Sequence, residues 1–304
     1  MQPDNNLPRR SGETDDTPPE QAVGEISHPG EGPSFCSQCG RHWGIGQNFC
    51  PTCGYFSVRS AARTVDSPAD QAGHRMGAVT WGGWQIAAGI IVVMISLFAA
   101  AAAAFAIGSL YPAQEDAVAT WISVHLMGLA IVATVWYLGL RHSRDPLAVL
   151  RLSGIHCPRK RTILLMFGVL AASLIATSIY SIIVESLGLD RFTTPDVESD
   201  IFFDGPAVLL TFQALAFITP MSEEIFFRGF IFRGLLPKMG PWGAITASAL
   251  VFSAFHLSLG VVVPIFITGF LLAWLYWRTG SLWAAIGAHA GQNALALGVQ
   301  ALAG

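Results

Sequence analysis

The sequence predicts an all-α membrane protein: a polytopic helix bundle of about seven spans, preceded by a small four-cysteine zinc ribbon and a disordered tail. Three observations carry this. Of the 304 residues, 52% are hydrophobic and only 12% charged, against roughly 25% charged in a soluble domain. The apolar residues fall into long runs separated by short polar loops. Basic residues gather in alternate loops, as they do on the cytoplasmic side of a multi-pass cell-membrane protein. The net charge of −3 singles out no charged partner, and no nucleic acid is expected.

Residues 1–33 are rich in Pro, Gly, Asp, Glu and Ser, a composition that stays disordered. Residues 34–57 carry two CxxC pairs, Cys36 with Cys39 and Cys50 with Cys53, each followed by a glycine (Gly40, Gly54) that permits a tight turn. Four thiolates suit one tetrahedral structural Zn²⁺, and four protein ligands leave no open position for catalysis. Two disulfides are the alternative; a cytoplasmic N-terminus, set by the loop charges below, favours zinc. Residues 58–80 form a linker to the transmembrane domain, 81–304. Placed at the end of a linker, the ribbon is suited to recruit substrate or a cytoplasmic partner.

The first span is expected at Trp81–Leu110, with Trp81 and Trp84 as interfacial anchors and Ala99–Ala104 for close helix packing. An acidic loop, Gln114-Glu115-Asp116, precedes the second, Ala117–Leu140. His125 lies inside it and reads as a helix–helix hydrogen bond. Residues 141–161 hold Arg141, Arg144, Arg151, Arg159, Lys160 and Arg161 against Asp145, which marks an inside loop. Its middle, Leu147–Leu152, is expected along the membrane surface, and Cys157 is a free thiol. The third span is Thr162–Ile183. The acidic loop 184–205 lies on the opposite side. The fourth span enters at Pro206 and ends near Leu236, followed by a tight turn at Pro237–Pro241. The fifth covers Trp242–Leu259 and the sixth Val261–Trp277, with a re-entrant piece as an option at Gly260–Pro264. Arg278-Thr279-Gly280 returns the chain inside, and the seventh span starts at Leu282.

The chemistry gathers in Ser222-Glu223-Glu224-Ile225-Phe226-Phe227-Arg228. A charge at the bilayer centre costs roughly 2.5–3.5 kcal/mol on insertion scales, so three in one helix need a reason. Glu224 and Arg228 are four apart, share a face and can neutralise each other. Glu223 points about 100° away, without that partner. Measured from the inner helix ends, Glu223 and His256 fall roughly 20 Å deep, His289 roughly 10 Å and Asn293 roughly 16 Å. His289 and Asn293 share one helix face. A Glu, two His and an Asn in one zone can build a hydrolytic site, with Glu223 as general base, His256 holding the water, and His289 and Asn293 donating to an oxyanion. Glu, His and His are also a catalytic zinc set, so a catalytic metal stays open, although no H-E-x-x-H occurs. A proton-coupled transporter could use the same carboxylates, but no inverted repeat is evident. A non-catalytic membrane scaffold is the further alternative.

Glu223-Glu224-x-x-x-Arg228, Phe252-x-x-x-His256 and His289-x-x-x-Asn293 resemble the three motifs of the CPBP intramembrane proteases, the CAAX prenyl protease and bacteriocin-processing (Abi) family. The resemblance covers 206–303. It implies a helical intramembrane endopeptidase acting on a membrane-associated peptide or protein. It puts water activation on Glu223 and His256 and the oxyanion on His289 and Asn293, with Glu224, Arg228 and Phe252 in support. It leaves glutamate-type and metallo-type chemistry both open. Some members serve as adaptors or immunity proteins, which is the competing function.

Overall fold

A computed structural model describes residues 34–35, 42–43, 76, 79–153, 159–194 and 198–303. The cysteines of the expected ribbon, Cys157, the 1–33 tail and most of the 58–80 linker lie outside these residues. Two short strands, β1 (Ser34–Phe35) and β2 (His42–Trp43), pair antiparallel with Phe35 opposite His42.

The protein is an all-α membrane bundle. Helix α1 (Gly83–Gly108) packs along α2 (Glu115–Val135), which continues through a π-helical turn, Trp136–Leu140. A short α3 (Pro146–Val149) leads to α4 (Arg159–Ser186). The fourth run is segmented: α5 (Val208–Phe212), a π-helical stretch Gln213–Ile218, α6 (Thr219–Glu224), a second π-helical stretch Ile225–Phe232, and α7 (Arg233–Ala254). Helices α8 (Leu259–Thr279) and α9 (Leu282–Ala303) close the bundle. Among the described residues five helical segments are long and apolar enough to cross a membrane. The outer faces of α1 and α4 leave Ile91, Ile95, Phe98, Leu164, Phe167, Ile175 and Ile182 exposed, as lipid-facing helices do.

The structure redraws several expected boundaries. Expected spans four and five are two helices that meet at Gly240, where the backbone is non-helical, and fold back on each other: Ser248 Oγ donates to Phe227 O at 2.9 Å and Phe252 packs edge-on to Phe227. The chain turns at Gly240, whose φ is 67°, and Pro241 restarts the helix with its preset φ. The turn falls at Gly240, within the expected Pro237–Pro241. Gly240→Ala is expected to cost about 1–3 kcal/mol, since a positive φ with ψ of 175° is a region essentially closed to residues with a Cβ; thermal unfolding in detergent measures it. The segment Gly260–Pro264 is the start of α8 and not a re-entrant piece. Helix α9 forms where the seventh span was expected but is not among the five.

The 141–161 loop also departs from expectation. Leu150 is buried in the main core, Arg151 O accepts Leu282 N–H at 3.2 Å, and Leu152 O accepts Trp283 Nε1–H at 3.0 Å. Half of the expected surface segment therefore plugs the end of α9, because Leu150 gains more from the core than from an interface.

The core is built on the second π stretch. Phe226, Phe230, Ile231 and Phe232 are fully buried. Trp81 stacks on Phe230 at 5.6 Å and donates Nε1–H to Phe230 O at 2.9 Å. Arg233 Nη2 donates to Met76 O at 2.6 Å. The chain before α1 is thereby fixed to the helix that carries the glutamates. A Cβ on Gly234 would meet Ile86 at 2.7 Å and Trp81 at 2.8 Å, so glycine there is what lets Trp81 lie flat on the helix.

Candidate active site

The Glu pair sits in α6, one α-helical turn and a half held between two π-helical stretches. Such widenings occur often at functional sites. Pro220 lies in α6 and contributes to this irregularity, since it supplies no N–H to the ladder.

Glu224 and Arg228 are both fully buried, and Arg228 Nη1 donates to Glu224 Oε1 at 2.6 Å. The i, i+4 pairing expected from sequence is present. Arg228 Nη2 donates to Gly269 O at 3.0 Å, tying the fourth run to α8. Phe252 from α7 covers the guanidinium, with Cζ 4.5 Å from the ring centre, a cation–π contact in a dry site. Gly269 makes room for that ring: a Cβ there would stand 2.8 Å from Phe252 Cδ1.

His289 on α9 joins both glutamates. It is buried, with Nδ1 2.9 Å from Glu224 Oε1 and Nε2 3.7 Å from Glu223 Oε2. Beside a permanently cationic Arg228, Glu224 is a carboxylate and only accepts, so Nδ1 carries the proton and donates. This fixes the ring and aims Nε2 at Glu223, as an orienting carboxylate does for a catalytic histidine. Glu223 keeps 21% of its side chain exposed.

That exposure opens into a cavity of about 220 Å³ lined by Leu97, Ala100 and Ala101 of α1, by Val124 and Met127 of α2, and by Thr219, Ser222 and Glu223 of α6. Sequence reasoning missed the wall residues of α1 and α2. The alanine run was read as packing surface, and Ala100 is indeed buried, but Ala101 is exposed. The available signal was that small residues at helix spacing also leave space.

Two expected site residues flank this centre with contacts of their own. His256 lies just past the end of its helix, next to Phe255, which packs on Phe226 and Phe227. Helix α7 ends at Ala254, Leu257 takes φ 50° as the chain reverses into α8, and His256 is exposed. Its Nδ1 lies 3.0 Å from Phe252 O, so that nitrogen carries the proton and Nε2 is the basic one. Phe252 lies between the two imidazoles, edge-on to His256 at 5.1 Å and to His289 at 5.9 Å. Asn293 lies one turn beyond His289, and its Nδ2 donates to the backbone, to Leu215 O at 2.9 Å.

His125 acts as a helix tether. Its Nδ1 donates to Trp121 O at 2.7 Å, its Nε2 accepts from Gln213 Nε2 at 3.1 Å, and Gln213 Oε1 accepts Trp121 Nε1–H at 3.1 Å. Every polar group of this α2 clasp on the first π stretch is matched. Among the described residues no three His, Cys, Asp or Glu are gathered as a metal-holding group.

Fold and site together define a multi-pass α-helical membrane protein with a buried carboxylate–histidine centre. Residues 205–295 match the family model for the type II CAAX prenyl endopeptidase, Rce1-like proteins. The match takes in all three motifs and the irregular fourth run, and covers less than half of the chain. No curated protein matches the chain. No solved structure matches it.

Proposed function

We propose that the protein is an intramembrane endopeptidase that hydrolyses a peptide bond of a membrane-associated substrate with a glutamate-activated water. The observation that supports this most is His289 held by Glu224 with its second nitrogen 3.7 Å from Glu223. That gap exceeds a direct hydrogen bond and lets one water on the cavity side lean on both atoms. Glu223, Glu224, Arg228 and His289 sum to zero charge when one proton is shared between Glu223 and His289. Neutrality suits a buried cluster.

With that proton on His289, Glu223 takes a proton from water as the water oxygen attacks the scissile carbonyl. The oxyanion receives His289 Nε2–H. Protonated Glu223 then passes its proton to the departing amine nitrogen as the C–N bond breaks, giving a carboxylic acid and an amine. His256 Nε2 meets the water from the solvent side, with Phe252 keeping the two imidazoles apart. The substrate's apolar part occupies the cavity between α1, α2 and α6. Purified protein cleaving a quenched, farnesylated peptide with a CAAX terminus, and Glu223→Gln failing to, is the test. Equal rates for the two overturn the peptidase reading in favour of a membrane adaptor.

For the N-terminal module the proposal is one structural Zn²⁺ on Cys36, Cys39, Cys50 and Cys53. The antiparallel pairing of Phe35 with His42 supports it, because Cys36 and Cys39 fall between the two paired strands in sequence, as the cysteines of a zinc knuckle do. Elemental analysis is expected to find one zinc per wild-type chain and loss of it in Cys36→Ser. Metal-free reduced protein refutes it. A cytoplasmic N-terminus belongs to the same proposal and follows from the basic 141–161 loop.

A further inference from the structure

The role of Asn293 follows from where the backbone donors of the fourth run go. Thr219 N–H bonds Ala214 O, in π register. In that register the next carbonyl, Leu215 O, would receive the N–H of residue 220. Residue 220 is proline and has none. An unmatched carbonyl in a partly buried, apolar setting is costly. Asn293 Nδ2 supplies the missing donor at 2.9 Å.

We propose that Asn293 is a positioning residue that replaces the N–H removed by Pro220, and so sets the rotation of the glutamate-bearing helix against α9. The placement gives this its force. His289 and Asn293 are one turn apart on α9. His289 bonds Glu224, and Asn293 bonds the same run just upstream of Pro220. Two contacts from one rigid helix fix both the spacing and the angle of α6. The 3.7 Å separation of His289 from Glu223 depends on that angle. Without Asn293, the run is free to swivel at the point where proline has interrupted its ladder. The catalytic consequence rests on Glu223 being the base; the structural consequence does not.

The test is a double-mutant cycle in the full-length protein. Pro220→Ala restores an N–H in the register that Thr219 already follows, so Leu215 O no longer needs the side-chain amide. Thermal unfolding in detergent and cleavage of the farnesylated CAAX reporter are measured for wild type, Asn293→Ala, Pro220→Ala and the double variant. Asn293→Ala is expected to lose unfolding temperature and about a hundredfold or more in rate, on the scale of a lost catalytic donor. The double variant is expected to match Pro220→Ala in both, because the two changes cancel. An amide that acts on the substrate oxyanion gives the opposite result: the double variant stays as slow as Asn293→Ala, which overturns the proposal. Asn293→Ala with unchanged unfolding temperature overturns it too. If wild type and Glu223→Gln cleave the reporter equally, the peptidase reading fails, and the unfolding cycle alone decides on Asn293.

Discussion

Glu223→Gln is expected to lower peptide hydrolysis by a factor of about 10²–10⁴, the usual contribution of a positioned general base, while leaving the fold intact. Glutamine has nearly the same shape and cannot take a proton from water. It also removes the negative charge 3.7 Å from His289 Nε2, which in the proposed mechanism accompanies donation to the oxyanion. Stability is expected to be spared. Glu223 lines the cavity and is partly exposed, whereas the core closes around Phe226, Phe230 and Phe232. The measurement is initial rate on the reporter peptide at matched unfolding temperature. A variant with wild-type rate removes Glu223 from the reaction.

Arg228→Met should have the largest effect on stability, about 3–5 kcal/mol, the range for breaking one partner of a buried ion pair. Glu224 would keep its charge at a position with no exposure. Gly269 O would lose its donor and Phe252 the cation over its ring. Replacing both members, Glu224→Gln with Arg228→Met, is expected to recover much of the stability, since exchanging a whole buried pair for uncharged groups is often near neutral. It is not expected to recover activity, because His289 Nδ1 then lacks the carboxylate that aims its other nitrogen. Unfolding in detergent separates the two outcomes. An Arg228→Met protein as stable as wild type would mean that the pair contributes nothing to the fold.

These two variants probe different members of one motif, and the sequence distinguished them. Four-residue spacing puts Glu224 and Arg228 on one helical face and leaves Glu223 aside. That is a property of helix geometry and survives the π-helical distortions on either side. The cavity was not legible in the same way. Its walls come from α1 and α2, remote in sequence from the motifs, and no spacing rule links Ala101 to Glu223. His256 lies near the level of the glutamates, since Phe255 beside it packs edge-on to Phe226 and Phe227; what spacing did not show is where its helix ends. Helix α7 stops at Ala254, where the chain must turn to reach α8.

The sequence by itself determined that this chain is an all-helical membrane protein, where its apolar runs lie, and which glutamate is paired. Those properties follow from hydrophobicity and helical periodicity, which are local. Tertiary structure alone decided that one imidazole bridges both carboxylates and that the other stands beyond a phenyl ring. It also decided that the asparagine amide meets a backbone carbonyl. Such contacts depend on how helices rotate and end against each other, and that is settled by packing between segments far apart in the chain.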